Sequence, residues 1–275
     1  MKKKILVCVM AAAVLLSSCG KEEGEIYSTE PPGVEEEIYS TETPDAETED
    51  TENAADNTTT EAKEQGSAGE NPGGYGVEMI EFRRDELCDI SYPKISGWDN
   101  EEKQQEWNAV FEQCAEEAVQ DVGENDSVNM AFAVEEQTED FLSMTVSYYY
   151  NFEGAAHPSA AMKSFNINMQ TGEKVTFADM ADPKETAKLL FDGTDGYRTL
   201  EPEAVTMQDI LEYNFIWMEP TAEALEASLR HFDGETEDYG ANETMGYSFR
   251  RNGKVCLIFY VNHAMGDYAV VQLEN

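Results

Sequence analysis

An α+β fold is predicted for this chain: antiparallel sheets with helices packed on one side, after a disordered acidic tether. One strongly periodic helix lies among several alternating segments, and an Asn-Gly turn joins two of those segments near the C-terminus. Antiparallel strands with helices set aside from them are typical of the α+β class. Residues 20–76 show neither period, so we expect the folded part to begin near Val77.

The best-defined predicted element is an amphipathic helix over residues 99–122. Asp99 followed by Glu102 matches a capping box, and Gly123 is a stop signal. Apolar side chains recur at helical spacing between these signals: Trp107, Val110, Phe111, Cys114, Ala115, Ala118, Val119 and Val122. The opposite face of the predicted helix is acidic.

The remaining elements follow from alternation and turn residues. Strands are predicted at 77–82, 87–95, 128–135, 142–150, 161–169, 245–250, 254–261 and 267–273, and helices at 183–191, 206–217 and 221–232. Asn252-Gly253 predicts a tight hairpin turn. In the strand at 142–150, alternation places Tyr148 and Tyr150 inward and Tyr149 outward.

The charge excludes one class of function and favours another. The chain carries 57 Asp and Glu against 18 Lys and Arg, a net charge of −39. Nucleic-acid binders need clustered Lys and Arg against phosphates, so a nucleic-acid partner is excluded. Residues 77–275 hold 40 acidic and 13 basic side chains, a balance that would steer a cationic partner.

The N-terminal sequence predicts that the protein is located outside the cytoplasm. Three lysines precede an apolar run over residues 5–16, which is too short to span a membrane comfortably, so a polytopic membrane protein is excluded. Leu16-Ser17-Ser18-Cys19 resembles the bacterial lipoprotein signal, with an ordinary secretory signal as the alternative. We expect residues 1–18 to be a signal peptide and Cys19 to be lipidated, for example by palmitate. The protein would then be anchored by lipid to the outer face of the bacterial cell membrane.

Residues 19–76 are predicted to be the lipid anchor and a disordered linker. Between Gly20 and Gly76 there are 17 acidic and 2 basic residues, and few bulky apolar ones. The segment Glu25–Glu30 recurs at Glu37–Glu42, which indicates either two short docking motifs or slippage in a low-complexity spacer.

Three cysteines lie in the folded part: Cys88, Cys114 and Cys256. We favour three buried thiols that act as small hydrophobic side chains. One disulfide with a thiol left over is the alternative.

Several motifs resemble one family. They are Tyr148-Tyr149-Tyr150, Gly154-Ala155-Ala156-His157-Pro158, the run from Asn166 to Lys174, Phe177-Ala178-Asp179, and the stretch from Phe259 to Gly266. In order and spacing they are similar to the extracytoplasmic domain of unknown function 3298 (DUF3298), usually preceded by a companion domain, 4163. The resemblance implies a 4163-like α+β part over 77–150 and a 3298-like α+β part over 151–275.

The same resemblance implies two functional contexts. One is the outer part of the RsiV-type anti-sigma factor, which binds lysozyme, and the other is the N-terminal module of a PdaC-like peptidoglycan deacetylase. The sequence contains neither a sigma-binding segment nor a deacetylase metal motif, so we expect the shared module alone on its lipid anchor.

No cofactor, metal site or catalytic residue is predicted, because none of the three histidines lies in a zinc-binding pattern. His157 could contact a ligand or act as a base, or it could hold its own turn by bonding to backbone. His263 beside Asp267 could form a base with its partner, or cap a strand end.

The residues proposed for ligand binding are Tyr149, Gly154, His157, Pro158 and His263. We expect a non-catalytic surface lipoprotein that binds a cationic protein such as lysozyme, or a cell-wall component. The alternative is a peptidoglycan-acting enzyme, or an accessory module of a wall-modifying enzyme.

Overall fold

The fold is of the α+β class, as predicted. The structure, a computed structural model, describes residues 74–120, 122–193, 195–216, 218–234 and 245–274. The order of elements is β1 (Gly76–Arg84), β2 (Cys88–Ser96), α1 (Glu101–Ala118), β3 (Ser127–Gln137), β4 (Phe141–Asn151), β5 (Ser159–Asn168), α2 (Phe177–Met180), α3 (Pro183–Asp192), β6 (Tyr197–Glu201), α4 (Met207–Asn214), α5 (Ala222–His231), β7 (Gly246–Arg251), β8 (Lys254–Tyr260), a 3₁₀ turn (His263–Met265) and β9 (Tyr268–Leu273). The predicted signal peptide, Cys19 and the acidic tether lie outside the described residues.

The first sheet has five strands in the order β1-β2-β3-β4-β5. Its pairs are antiparallel except β2 with β3, where Cys88–Ile90 run parallel to Val128–Met130. The parallel pair follows from the connection, because α1 carries the chain back across the sheet between these two strands.

The second sheet has four antiparallel strands in the order β6-β9-β8-β7. The predicted hairpin turn is confirmed: Asn252 and Gly253 join β7 to β8 with φ of 52° and 76°. Both values lie in the left-handed region that a type I′ turn requires. Strand β6 was missed by sequence reasoning, because it is a short polar strand that pairs only with β9.

The predicted helix is confirmed, and its apolar side packs on the first sheet. Phe111, Cys114, Ala115 and Ala118 are buried there, and the ring of Phe111 lies edge-on to that of Phe165 at 5.4 Å between centroids.

The predicted ends of this helix were wrong. The N-cap is Asn100, not Asp99, because the Asn100 side chain accepts a hydrogen bond from the Lys103 backbone N–H at 3.1 Å. The helix ends at Ala118, before the stop signal at Gly123.

A second core lies between the later helices and one face of the second sheet. Leu190 of α3, Ile210 of α4 and Leu225 of α5 are buried against a cluster that includes Leu257 and Val271. The three helices predicted at 183–191, 206–217 and 221–232 are confirmed as α3, α4 and α5. Helices α4 and α5 are shorter than predicted. They pack on one side of the sheet, as the α+β prediction requires.

The two sheets meet along the outer edge of β7. The Ser248 carbonyl accepts from the Ser164 hydroxyl at 2.5 Å and from the Asn166 amide at 2.7 Å, and the Arg250 N–H donates to the Ser143 hydroxyl at 2.9 Å. Side chains therefore satisfy an edge that would otherwise be open to pairing.

All described residues fall in one compact unit. The predicted division between 77–150 and 151–275 stays a prediction about domain organisation. The structure adds that β5, which follows this boundary, pairs along its length with β4.

Candidate functional site

Two connections bring the predicted histidines together. His157 ends the loop between β4 and β5, and His263 begins the 3₁₀ turn between β8 and β9. Their ring centroids lie 5.5 Å apart, with the ring planes tilted by 33°. The two residues are far apart in sequence, so no local pattern could have shown this contact.

Asp267 links His263 to the first strand residues of β5. One of its carboxylate oxygens lies 2.8 Å from His263 Nδ1, and the other accepts the Ala160 backbone N–H at 2.7 Å. Its own backbone has φ of 71°, and its carbonyl accepts from the Val261 N–H at 2.9 Å. The two roles considered for His263 stay predictions; the structure adds that its ring pairs with Asp267, and that Asp267, not His263, bonds the start of β5.

The loop that leads to His157 turns at Gly154. Gly154 has φ of 82°, and a Cβ built there would meet nothing within 4 Å. Gly154 is therefore needed for its conformation, and it makes no close approach to the histidine pair. Pro158 is half-buried and leads into β5, whereas His157 is exposed.

Tyr149 points away from the core, as predicted. Half of its surface is exposed (50%), while Tyr148 is buried and stacks on Tyr150 at 6.0 Å, which in turn stacks on Phe152 at 5.6 Å. In the β4–β5 register Tyr149 lies directly across from Ala160, the residue that Asp267 holds. The exposed tyrosine therefore lies beside the start of β5, next to the loop that contains His157.

Asp126 anchors the start of the same loop, and sequence reasoning missed it. Its carboxylate accepts the Glu153 N–H at 2.6 Å and the Gly123 N–H at 2.7 Å, and these two hydrogen bonds hold the pKa of Asp126 below its usual value. The Glu153 carboxylate also accepts from Asn125 at 2.8 Å. The segment that follows α1 is thus tied to the loop that carries His157.

An open groove of about 630 Å³ runs along the outer face of α1. Its lining residues are Ala109, Glu112, Gln113, Glu116, Glu117 and Gln120. The Gln113 amide donates to the Glu117 carboxylate at 2.7 Å. Tyr92 of β2 lies beside the groove, and burial together with the negative charge of Glu112 raises its pKa. The acidic helix face expected from the sequence is therefore an open surface, and all the residues that line the groove belong to α1 and the turn after it.

The most enclosed charged group is Asp233, which no sequence signal marked. Its carboxylate accepts the Ser248 N–H at 2.8 Å, the Phe177 N–H at 2.9 Å and the Ser248 hydroxyl. The Ser164 hydroxyl lies 3.3 Å away and makes its shorter hydrogen bond to the Ser248 carbonyl. Burial raises the pKa of Asp233 to about 6, against the lowering effect of these donors and of Lys174. Its neighbours come from three segments, namely β5, the stretch 174–177 and β7, so this group ties the two sheets together.

Two further observations describe the site's chemistry. Within the described ranges, no group of three or more His, Cys, Asp and Glu is assembled that could hold a metal ion. Cys88, Cys114 and Cys256 are buried and none of them forms a disulfide in the described part of the chain, which agrees with the favoured interpretation. Burial raises the pKa of Cys256 to about 12.

No helix in the described part of the chain is long and apolar enough to cross a membrane.

Comparisons with known proteins give a likeness at the level of solved structures. No family model matches this chain, and no curated protein matches it. A DUF3298 family protein from Pseudomonas aeruginosa PAO1 is 13% identical with a TM-score of 0.38, and the match covers 74% of this chain and 91% of that one. A DUF3298 family member from Bacteroides fragilis NCTC 9343 is 14% identical with a TM-score of 0.40, at the same coverage. Both descriptions name the family that the sequence motifs resemble.

Proposed function

We propose that this chain is a non-catalytic binding module for a cationic protein, with the groove of α1 as its docking face. The observation that carries the proposal is the arrangement of Glu112, Glu116 and Glu117 along an open groove of about 630 Å³. An open, single-signed face suits a protein partner of opposite charge, whereas a catalytic site needs convergent groups in an enclosed cleft.

The charge of the surrounding surface supports the same partner. Helix α1 carries acidic residues in its first turn and no basic residue in its last turn, so nothing in that turn offsets the glutamates. With 40 acidic side chains against 13 basic ones in residues 77–275, the field around the folded part attracts cations over a distance. Such steering raises the association rate and makes it sensitive to salt.

The predicted ligand-binding loop extends this face. Asp126 ties the segment after α1 to Glu153, at the start of the loop that contains Gly154, His157 and Pro158. Tyr149 is exposed on the face of β4 opposite Tyr148, which packs in the core beneath α1, so its ring is not part of the groove face. The loop alone is therefore the second candidate contact for a partner seated on the groove.

The location of the protein at the outer face of the cell membrane is part of the same proposal. Lipidation of Cys19 would hold the binding module outside the cell membrane, at the end of an acidic tether. Cationic proteins that attack the cell wall would reach it there first, so a lysozyme is the probe of choice.

The test is calorimetric titration of the purified full chain with lysozyme at low and at physiological salt. The groove variant is Glu112→Gln/Glu116→Gln/Glu117→Gln. The control variant, Glu139→Gln/Glu203→Gln/Glu219→Gln, removes the same charge from exposed positions outside the groove. We expect the groove variant to lose affinity by about tenfold or more, since each lost pairing contributes on the order of 0.5–1 kcal/mol, and the control variant to lose much less.

Equal losses in both variants would show charge attraction without a docking face and would contradict the proposal. A Gly154→Ala/His157→Ala variant reports separately on the loop. Absence of binding at low salt would discard the lysozyme interpretation and favour the alternative, a wall-glycan enzyme or accessory module, tested by release of new reducing ends from peptidoglycan.

A further inference from the structure

The separation of the two histidine rings is compatible with two ligands of one metal ion. Nitrogen–metal bonds of about 2.0–2.1 Å at a tetrahedral angle place two imidazole centroids about 5 Å apart. His157 and His263 lie at 5.5 Å, with tilted rather than coplanar rings. The two side chains come from separate connections, so the fold itself sets their separation.

Asp267 prepares one of the two rings for such a role. It occupies the Nδ1 side of His263 at 2.8 Å, which leaves Nε2 as the nitrogen for a ligand. The carboxylate is itself held by the Ala160 N–H at 2.7 Å. A carboxylate behind a histidine ring is the usual support of a metal-bound imidazole, because it sets the tautomer and raises the basicity of the free nitrogen.

We propose that His157 and His263 together bind one divalent transition-metal ion, His263 through Nε2, with Asp267 as a positioning residue. Imidazole ligands suit zinc, nickel and copper. Both rings are at the surface, with His263 47% exposed, so water completes the coordination and the site stays open to a further ligand. This site shares His157 with the predicted ligand-binding loop but no residue with the groove on α1, and it goes beyond the proposed function.

The chain offers a clean spectroscopic test, since it contains three histidines and the third, His231, lies on α5. Substoichiometric Cu²⁺ is added to the full chain labelled with ¹⁵N at histidine, and the imidazole signals are recorded. We expect the signals of His157 and His263 to broaden together, while that of His231 stays sharp. Broadening of only one of the pair, or of all three alike, would overturn the proposal.

Zinc titration of variants gives the affinities. His157→Ala and His263→Gln should each weaken the tight binding phase about tenfold or more, His231→Gln should leave it unchanged, and the double variant should keep only the weak binding of the carboxylates. Unchanged zinc affinity in both single variants would overturn the site, and circular dichroism checks that each variant is folded.

Asp267→Asn tests the positioning role. We expect a loss of zinc affinity on the order of tenfold, and a change in the ¹⁵N shifts of His263 that reports an altered tautomer while the signals of His157 stay in place. A folded Asp267→Asn variant with unchanged zinc affinity and unchanged His263 shifts would remove Asp267 from the proposal.

Discussion

At the scale of single residues, Asp233 is a charged side chain buried between the two sheets. It follows α5 in a left-handed conformation with φ of 66°, and only 1% of its surface is exposed. A buried carboxylate is costly unless donors surround it, and here two backbone N–H groups and the Ser248 hydroxyl do so. We interpret this residue as a structural tie between the sheets.

Replacing Asp233 by Asn should destabilise the protein by about 1–3 kcal/mol near neutral pH, because the amide group faces backbone donors at Ser248 and Phe177. Chemical denaturation of the wild type and the variant measures the difference. Ser164→Ala is the control, since it removes the neighbouring hydroxyl that donates to the Ser248 carbonyl and keeps the carboxylate.

The pH dependence of this difference has a definite sign. The pKa of Asp233 is raised to about 6 in the folded state, so the folded state holds the proton more tightly than the unfolded state. The contribution to stability is full below about pH 4 and is lost as pH rises through 6, an effect of about 3 kcal/mol. The gap between wild type and Asp233→Asn should therefore widen on acidification, and a constant gap would contradict this assignment.

At the scale of elements, the least predictable feature is how β7 joins the first sheet. Besides the hydrogen bonds along its edge, Arg250 pairs with Glu136 of β3 at 2.6 Å and lies 3.8 Å from the centre of the Phe141 ring. Arg251 pairs with Glu135 at 2.5 Å. Both arginines are partly buried, so their charges are screened less than those of surface pairs.

A double-mutant cycle with Arg250→Met and Glu136→Gln should give a coupling of about 1 kcal/mol, because the pair is partly desolvated and joins two sheets. Denaturation midpoints of the four proteins supply the coupling. The matched control is the surface pair of Arg84 with Asp89, whose side chains are 61% and 52% exposed, and whose coupling should stay below about 0.5 kcal/mol. Equal coupling in both cycles would show that the pair between the two sheets contributes no more to stability than a surface pair.

At the scale of the whole molecule, charge is the dominant property. A net charge of −39 keeps the chain in solution and resists self-association, but like charges repel within the folded state. In the described residues basic side chains such as Arg250 pair with carboxylates, and residues 77–275 hold 40 acidic side chains against 13 basic ones. Salt should therefore affect stability as well as partner binding.

We predict that the melting temperature of the full chain rises with sodium chloride by several degrees, since about 1–2 kcal/mol of relieved repulsion corresponds to about 2–8 °C for a domain of this size. Calorimetric scans over a salt series measure it. The groove variant with Glu112, Glu116 and Glu117 replaced by Gln should melt higher at low salt and respond less to added salt. A melting temperature independent of salt would contradict the role given to repulsion.

Much of the local structure could be predicted from the sequence, because local structure depends on neighbours along the chain. Helical spacing predicted the buried face of α1 with Phe111 and Cys114, and Asn252-Gly253 predicted a hairpin whose two residues do adopt positive φ. Strand alternation placed Tyr149 outward. The candidate loop residues were likewise recognised by residue type and by resemblance to a family.

Contacts between distant segments were decided by the tertiary structure alone. The contact of His157 with His263, the burial of Asp233 among three segments and the parallel pairing of β2 with β3 have no periodic signature. Helical and strand periods repeat along the chain, so a sequence pattern can reveal them. A contact between two loops that are distant in sequence depends instead on how the complete sheets pack. The sequence by itself therefore determined the elements, their buried faces and the acidic charge, and packing decided which side chains share a site.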